Sequence, residues 1–88
     1  MIKKTVKIVN SAGLHARPAA SLVRLAAGFE SEFYINMYGY QVNGKSILGV
    51  MTLAAEQGAE LELELDGPDE AKAIQAIEEL IANGFNED

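Results

Sequence analysis

The stretch ELELELD (Glu60 to Asp66) alternates acidic residues and leucines without a break. Successive side chains of a strand point to opposite faces, so Leu61, Leu63 and Leu65 face a core while Glu60, Glu62 and Glu64 face water. A sheet with one wet face carries its helices on the other, which makes this a two-layer arrangement. The rest of the fold is read outward from this strand.

Downstream, PDEAKAIQAIEELIANG (residues 68–84) has acidic residues in its first turn and an Ile74/Ile77/Ile81 stripe. It reads as a helix that Gly84 lies beyond. Upstream, SILGVMTLAAEQG (residues 46–58) reads as a short helix that Ser46 caps and Gly58 ends. SEFYINM (31–37) and YQVN (40–43) are strands joined by a hairpin turn at Tyr38-Gly39, where the glycine takes positive φ. RPAASLVRLAAG (17–28) is a helix with Pro18 in its first turn and Gly28 at its end; Ala19, Leu22, Val23 and Ala26 share one face. TVKIV (5–9) is a β-branched strand with Val6 and Ile8 inward. The order β-α-β-β-α-β-α predicts an α+β two-layer sandwich. A ferredoxin-like βαββαβ domain ends on a strand, and the closing helix argues against it.

A chain of 88 residues is read as one domain spanning 1–88. Such a chain buries roughly 60–65% of its unfolded surface and has no room for a deep active site, so its chemistry belongs on the surface. Apolar residues make up 49% and there is no cysteine, which excludes a disulfide framework and thiolate metal sites. MIKKTVKIVN (1–10) lacks the apolar run of a signal peptide, and SILGVMTLAA (46–55) is far short of the ~20 residues of a membrane span. A soluble, cytoplasmic protein without membrane insertion is the expectation. The net charge of −6 divides unevenly: residues 1–55 hold six basic and two acidic groups, residues 56–88 one basic and eleven acidic. General nucleic-acid binding is therefore not expected.

The only histidine, His15, lies in the positive part, just before the first helix. A helix start carries unpaired N–H groups and a partial positive charge, which makes it an anion site. The same field and the neighbouring Arg17 favour a neutral imidazole, which offers a ring nitrogen to an electrophile. A phosphoryl group taken up there meets backbone N–H groups, and Arg17 is placed to add a bidentate contact. Pro18 donates no N–H and stiffens the turn that aims His15 outward. A metal site on His15 is not expected, because the carboxylates cluster in the other half and no ligand spacing repeats. Without a second histidine, nucleophile-plus-base catalysis also fails, so the chain is read as no independent enzyme.

GLHARPAA (13–20), followed by GKSILGVMTLAAEQGAELELELDG (44–67), closely resembles the HPr family, the histidine-containing phosphocarriers of the bacterial phosphoenolpyruvate:sugar phosphotransferase system. The resemblance covers essentially the whole chain. It implies an open-faced sandwich, with a four-stranded antiparallel sheet and three helices on one face. It implies that His15 accepts a phosphoryl group from phosphorylated Enzyme I through its δ1 nitrogen and passes it to the IIA domains of sugar permeases. No cofactor is implied, and Arg17 supports the phosphorylated state. Ile47, Leu48 and Met51 then form a docking face on the second helix, with Arg24 also at the partner-binding surface; the competing reading puts those three apolar residues in the core.

Ser46 is read as an N-cap worth ~1 kcal/mol. The resemblance adds a regulatory role, phosphorylation by a dedicated HPr kinase/phosphorylase and recognition by a transcriptional regulator. A phosphate there sets about −1.5 to −2 charge on the docking surface. The alternative to a carrier is a non-transferring adaptor read through phospho-Ser46, which the presence of His15 with Arg17 and Pro18 disfavours. One departure is Ala12, where many relatives carry a polar side chain that helps to position the phosphorylated ring; backbone groups must serve here. The acidic strand and the C-terminal NGFNED (83–88) also make the chain unusually negative.

Overall fold

A computed structural model describes residues 1–86. In chain order the elements are β1 (Ile2–Lys7), α1 (Ala16–Ala27), β2 (Glu32–Met37), β3 (Tyr40–Asn43), α2 (Ile47–Thr52), β4 (Glu60–Asp66) and α3 (Glu70–Ala82), closed by a left-handed turn at Gly84–Asn86.

The alternating strand β4 lies inside the sheet, whose order is β1-β4-β2-β3 and whose pairings are all antiparallel. Its leucines set the register on both sides. Leu65 pairs with Ile2 and Phe33, and Leu63 pairs with Lys4 and Ile35. Leu61, Leu63, Leu65, Phe33 and Ile35 are buried on one face, joined there by Leu22 and Ala26 of α1, Val50 of α2 and Ile74, Ile77 and Ile81 of α3. All three helices therefore cover one face of a four-stranded antiparallel sheet, an open-faced α+β sandwich. On the bare face Lys3 sits opposite Glu64 and Lys7 opposite Glu60, while Asn36 donates to Glu62 at 2.9 Å. Opposite charges in cross-strand positions keep that face solvated without stacking like charges. Lys4 falls on the helix side of the edge strand and reaches Glu78 of α3 at 3.0 Å.

The structure departs from the sequence reading most clearly at β1, at the end of α2 and after α3. β1 starts at Ile2 and stops at Lys7, because β4 continues to Asp66 and offers Ile2 a partner in Leu65; Ile8 lies past the strand yet is buried. α2 ends at Thr52, not near Gly58. Ala54 turns left-handed, with φ +50, and the Ala55 carbonyl is held by Leu14, so residues 53–58 form a loop in place of helix. After α3, Gly84 (φ +62) returns the chain so that Phe85 is buried, a core contribution the periodicity gave no sign of. The acidic Glu87 and Asp88 lie outside the described residues.

Candidate functional site at the start of helix α1

A tight turn precedes the histidine. Gly13 donates its N–H to the Asn10 carbonyl at 3.2 Å, and buried Asn10 returns a side-chain bond to the Gly13 carbonyl at 2.9 Å. Gly13 holds φ +73, and a Cβ on it would lie 2.3 Å from the Ala55 carbonyl oxygen. Only glycine fits there. Leu14 then drops into the core and donates its N–H to the same Ala55 oxygen at 2.8 Å. With Leu14 pinned inward, the next residue is turned outward.

That residue is His15, exposed, extended (φ −85, ψ −170) and the N-cap of α1. Its ring does not cap the helix. The ladder begins with the Ala19 N–H to the His15 carbonyl at 3.0 Å. The amides of Ala16 and Arg17 precede that bond, and Pro18 has no N–H. This is the anion-favouring end of a twelve-residue helix. Pro18 is buried, whereas Arg17 is exposed and lines a small concavity with Ser21, Phe85 and Asn86.

An open hollow joins His15 to Met51, Ala54, Ala55 and Glu56. The second helix thus meets the histidine through its C-terminal end and the loop that follows. At its other end Ser46 is extended (φ −113, ψ 117), and its hydroxyl accepts from the Gly49 N–H at 3.2 Å, the expected cap. Of the apolar residues on α2 only Val50 is core; Ile47 (41%), Leu48 (76%) and Met51 (39%) remain exposed. They form one outward face, so the core reading of these three is overturned. Arg24 is exposed seven residues beyond Arg17, roughly 10 Å along the helix. α1 and α2 bear Arg17 and Arg24 and no carboxylate, so the charge asymmetry of the sequence is also spatial. Lys45 ties this region together by donating to the Phe29 carbonyl at 2.7 Å.

The structure therefore brings His15 and Met51 to one hollow, while Arg17 and Pro18 line a separate concavity at the start of α1; Ile47, Leu48 and Ser46 extend the surface along α2 and Arg24 along α1. The loop Leu53–Glu56, read from sequence as helix, is part of this surface; Gly13, whose missing side chain makes room for it, was its only signal. Exposed Ala12 lines the hollow and offers no polar atom beyond its backbone. Among the described residues no group of histidine, aspartate and glutamate is arranged to hold a metal ion. No described helix is long and apolar enough to cross a membrane.

Residues 2–83 match the family model described as PTS-HPr, "PTS HPr component phosphorylation site". The chain is 50% identical over 88 residues to a phosphocarrier protein HPr of Treponema pallidum, covering 100% of both chains. It is 45% identical over 87 residues to one from Neisseria meningitidis serogroup A, covering 99% of this chain and 98% of that one. Among solved structures, HPr-C-His from Thermoanaerobacter tengcongensis superposes with a TM-score of 0.96 at 42% identity, covering 100% of this chain and 99% of that one.

Proposed function

The chain belongs to the HPr family of phosphotransferase-system phosphocarriers, and on that premise we propose that His15 is its phosphoryl acceptor, loaded by phosphorylated Enzyme I and unloaded to the IIA domains of sugar permeases. The observation that carries this reading is the placement of His15, an exposed N-cap residue ahead of the first α1 hydrogen bond.

In the transfer, the δ1 nitrogen lone pair attacks phosphorus as the bond to the donor breaks, and the donor leaves with that electron pair. The ring keeps its other proton. Such reactions ask for in-line positioning and charge stabilisation more than for side-chain acids and bases. The Ala16 and Arg17 amides and the positive end of α1 meet the new charge. The Arg17 guanidinium adds a charge-assisted bond from the exposed side. Because the fold keeps the histidine at the surface, donor and acceptor reach the same nitrogen in turn, and each partner supplies the shielding from water that a small domain lacks. The chain acts as a stoichiometric carrier in the cytoplasm and not as an enzyme.

Ile47, Leu48 and Met51 with Arg24 serve as the docking face; exposed apolar residues rimmed by cations suit short-lived complexes with acidic partners. Ser46 sits on this face. Its phosphorylation by an HPr kinase/phosphorylase keeps the cap geometry, gains from the α2 N-terminus, and repels a partner that recognises cations. A transcriptional regulator with arginines at its interface then reads the phosphorylated form. A pure adaptor role is disfavoured because the His15, Arg17, Pro18 set is intact.

Incubation with phosphoenolpyruvate and Enzyme I tests the reading. One acid-labile phosphoryl group per chain, absent from His15→Ala and transferable to a IIA domain, is the expected result; an unmodified wild type refutes it.

A further inference from the structure

We propose that Tyr38 and Tyr40, at the tip of the β2–β3 hairpin, form an aromatic anchor for the protein that phosphorylates His15. The inference rests on the carrier reading above and adds specificity residues that reading does not contain.

The turn itself does not ask for Tyr38, and Tyr40 suits its strand but is left exposed. A two-residue turn with positive φ at both central positions favours asparagine or glycine at the first. Tyr38 occupies that position at φ +50, followed by Gly39 at φ +83. A bulky side chain in this region is an outlier that costs stability. Burial does not offset the cost, since Tyr38 is 80% and Tyr40 74% exposed. A local rule broken without gain to the fold points to a role in binding. Tyrosine is also enriched among the residues that dominate protein interfaces, because it combines a large apolar ring with a hydrogen-bonding tip.

The surface between the tyrosines and His15 is continuous. The hollow holding His15 and Met51 shares Ala54 and Glu56 with a second depression, which reaches Tyr38 and Leu53. That one shares Tyr38 and Leu53 with a third, which reaches Tyr40. A partner seated on His15 and α2 meets the hairpin tip without leaving the protein surface.

The occupant is the phosphoryl donor and not an acceptor. A carrier is loaded by one donor and unloaded to several acceptors, and a rigid aromatic contact demanded of every acceptor narrows their range. Charge defines the donor's surface further. Opposite Arg17 and Arg24, on helices without a carboxylate, its rim is acidic. Opposite the tyrosines it presents an apolar pocket with an acceptor for a phenol hydroxyl.

The test uses the full chain carrying Tyr38→Asn and Tyr40→Thr. The first substitution suits the turn and the second suits a strand, so the fold is retained and melting verifies it. Two rates are measured across carrier concentrations: phosphorylation by phosphoenolpyruvate and the Enzyme I of the same organism, and transfer from the loaded carrier to a IIA domain. The expected result is a KM for loading raised about 10-fold with kcat unchanged, and unloading kinetics unaltered. Unchanged loading, or a defect confined to unloading, overturns the proposal while leaving the carrier reading intact. A wild type that accepts no phosphoryl group overturns both.

Discussion

Gly13 lies flush against Ala55, so close that a Cβ on Gly13 would sit 2.3 Å from the Ala55 carbonyl oxygen, the same oxygen that accepts the Leu14 N–H at 2.8 Å. The contact joins the approach to His15 to the loop after α2, and with it the proposed phosphoryl site to the proposed docking surface. Gly13→Ala adds both a left-handed alanine and a backbone clash. It is expected to destabilise the fold by about 2–4 kcal/mol, measured by denaturant unfolding. In the fraction that folds, slower phosphorylation is expected because the histidine is displaced.

Ala54 carries strain at the opposite side of the same contact, with φ +50 on an exposed residue. A left-handed alanine costs about 1–2 kcal/mol, of which glycine's greater freedom in the unfolded chain cancels about 0.5–1 kcal/mol. Ala54→Gly is therefore expected to raise Tm by a few degrees in a thermal melt. A lower Tm would show that the loop gains more from the methyl group than the turn loses.

Ser46 separates stability from docking. Ser46→Ala removes the bond from the Gly49 N–H and is expected to cost about 1 kcal/mol in thermal unfolding. Ser46→Asp retains a capping oxygen, so its stability stays near that of wild type. Its added negative charge is expected to raise the KM for loading by Enzyme I, measured in the same assay as wild type.

Stability should also fall in acid for a definite reason. The Asp69 carboxylate accepts the Ser31 hydroxyl, the Glu30 N–H at 2.8 Å and the Ser31 N–H at 2.9 Å, tying the start of α3 to the segment before β2. The Ser31 hydroxyl first, then the Glu30 amide, lower its pKa below the ordinary 3.8. Glu70 is lowered too, by the Gly67 N–H and then by the N-terminal amine. A carboxylate depressed in the native state contributes stability above its unfolded value, and that contribution is lost as pH falls through the native value. Asp69→Ala should therefore melt lower than wild type at pH 7, with the gap closing in strong acid. Melting curves from pH 7 down to about pH 2 check this; a constant gap contradicts it.

Much of this was legible in the chain itself. Leu61, Leu63 and Leu65 announced a half-buried strand, and the Ile74, Ile77 and Ile81 stripe announced the helix that covers it. His15 was readable as a surface residue because Gly13 and Pro18 flank it. The second helix was harder. Leu53, Ala54 and Ala55 are good helix formers, and what stops them is the tertiary demand of Gly13 and Leu14 on the Ala55 carbonyl. Helical spacing put Ile47, Leu48 and Met51 on one face, but with Val50 also apolar it gave no way to decide which side of the helix enters the core. Phe85 was hidden for another reason: one aromatic after a glycine has no period, and its burial depends on a left-handed return at Gly84.

The central claim is that the His15 ring receives a phosphoryl group against the opening amides of α1. Nuclear magnetic resonance of ¹⁵N-labelled chain, phosphorylated by Enzyme I and phosphoenolpyruvate, tests it most directly. The expected spectrum has phosphorus bonded to the δ1 nitrogen of His15, with the largest amide shifts at Ala16 and Arg17. Phosphorus on another residue or on the ε2 nitrogen, or unmoved amides at those two positions, would contradict the account.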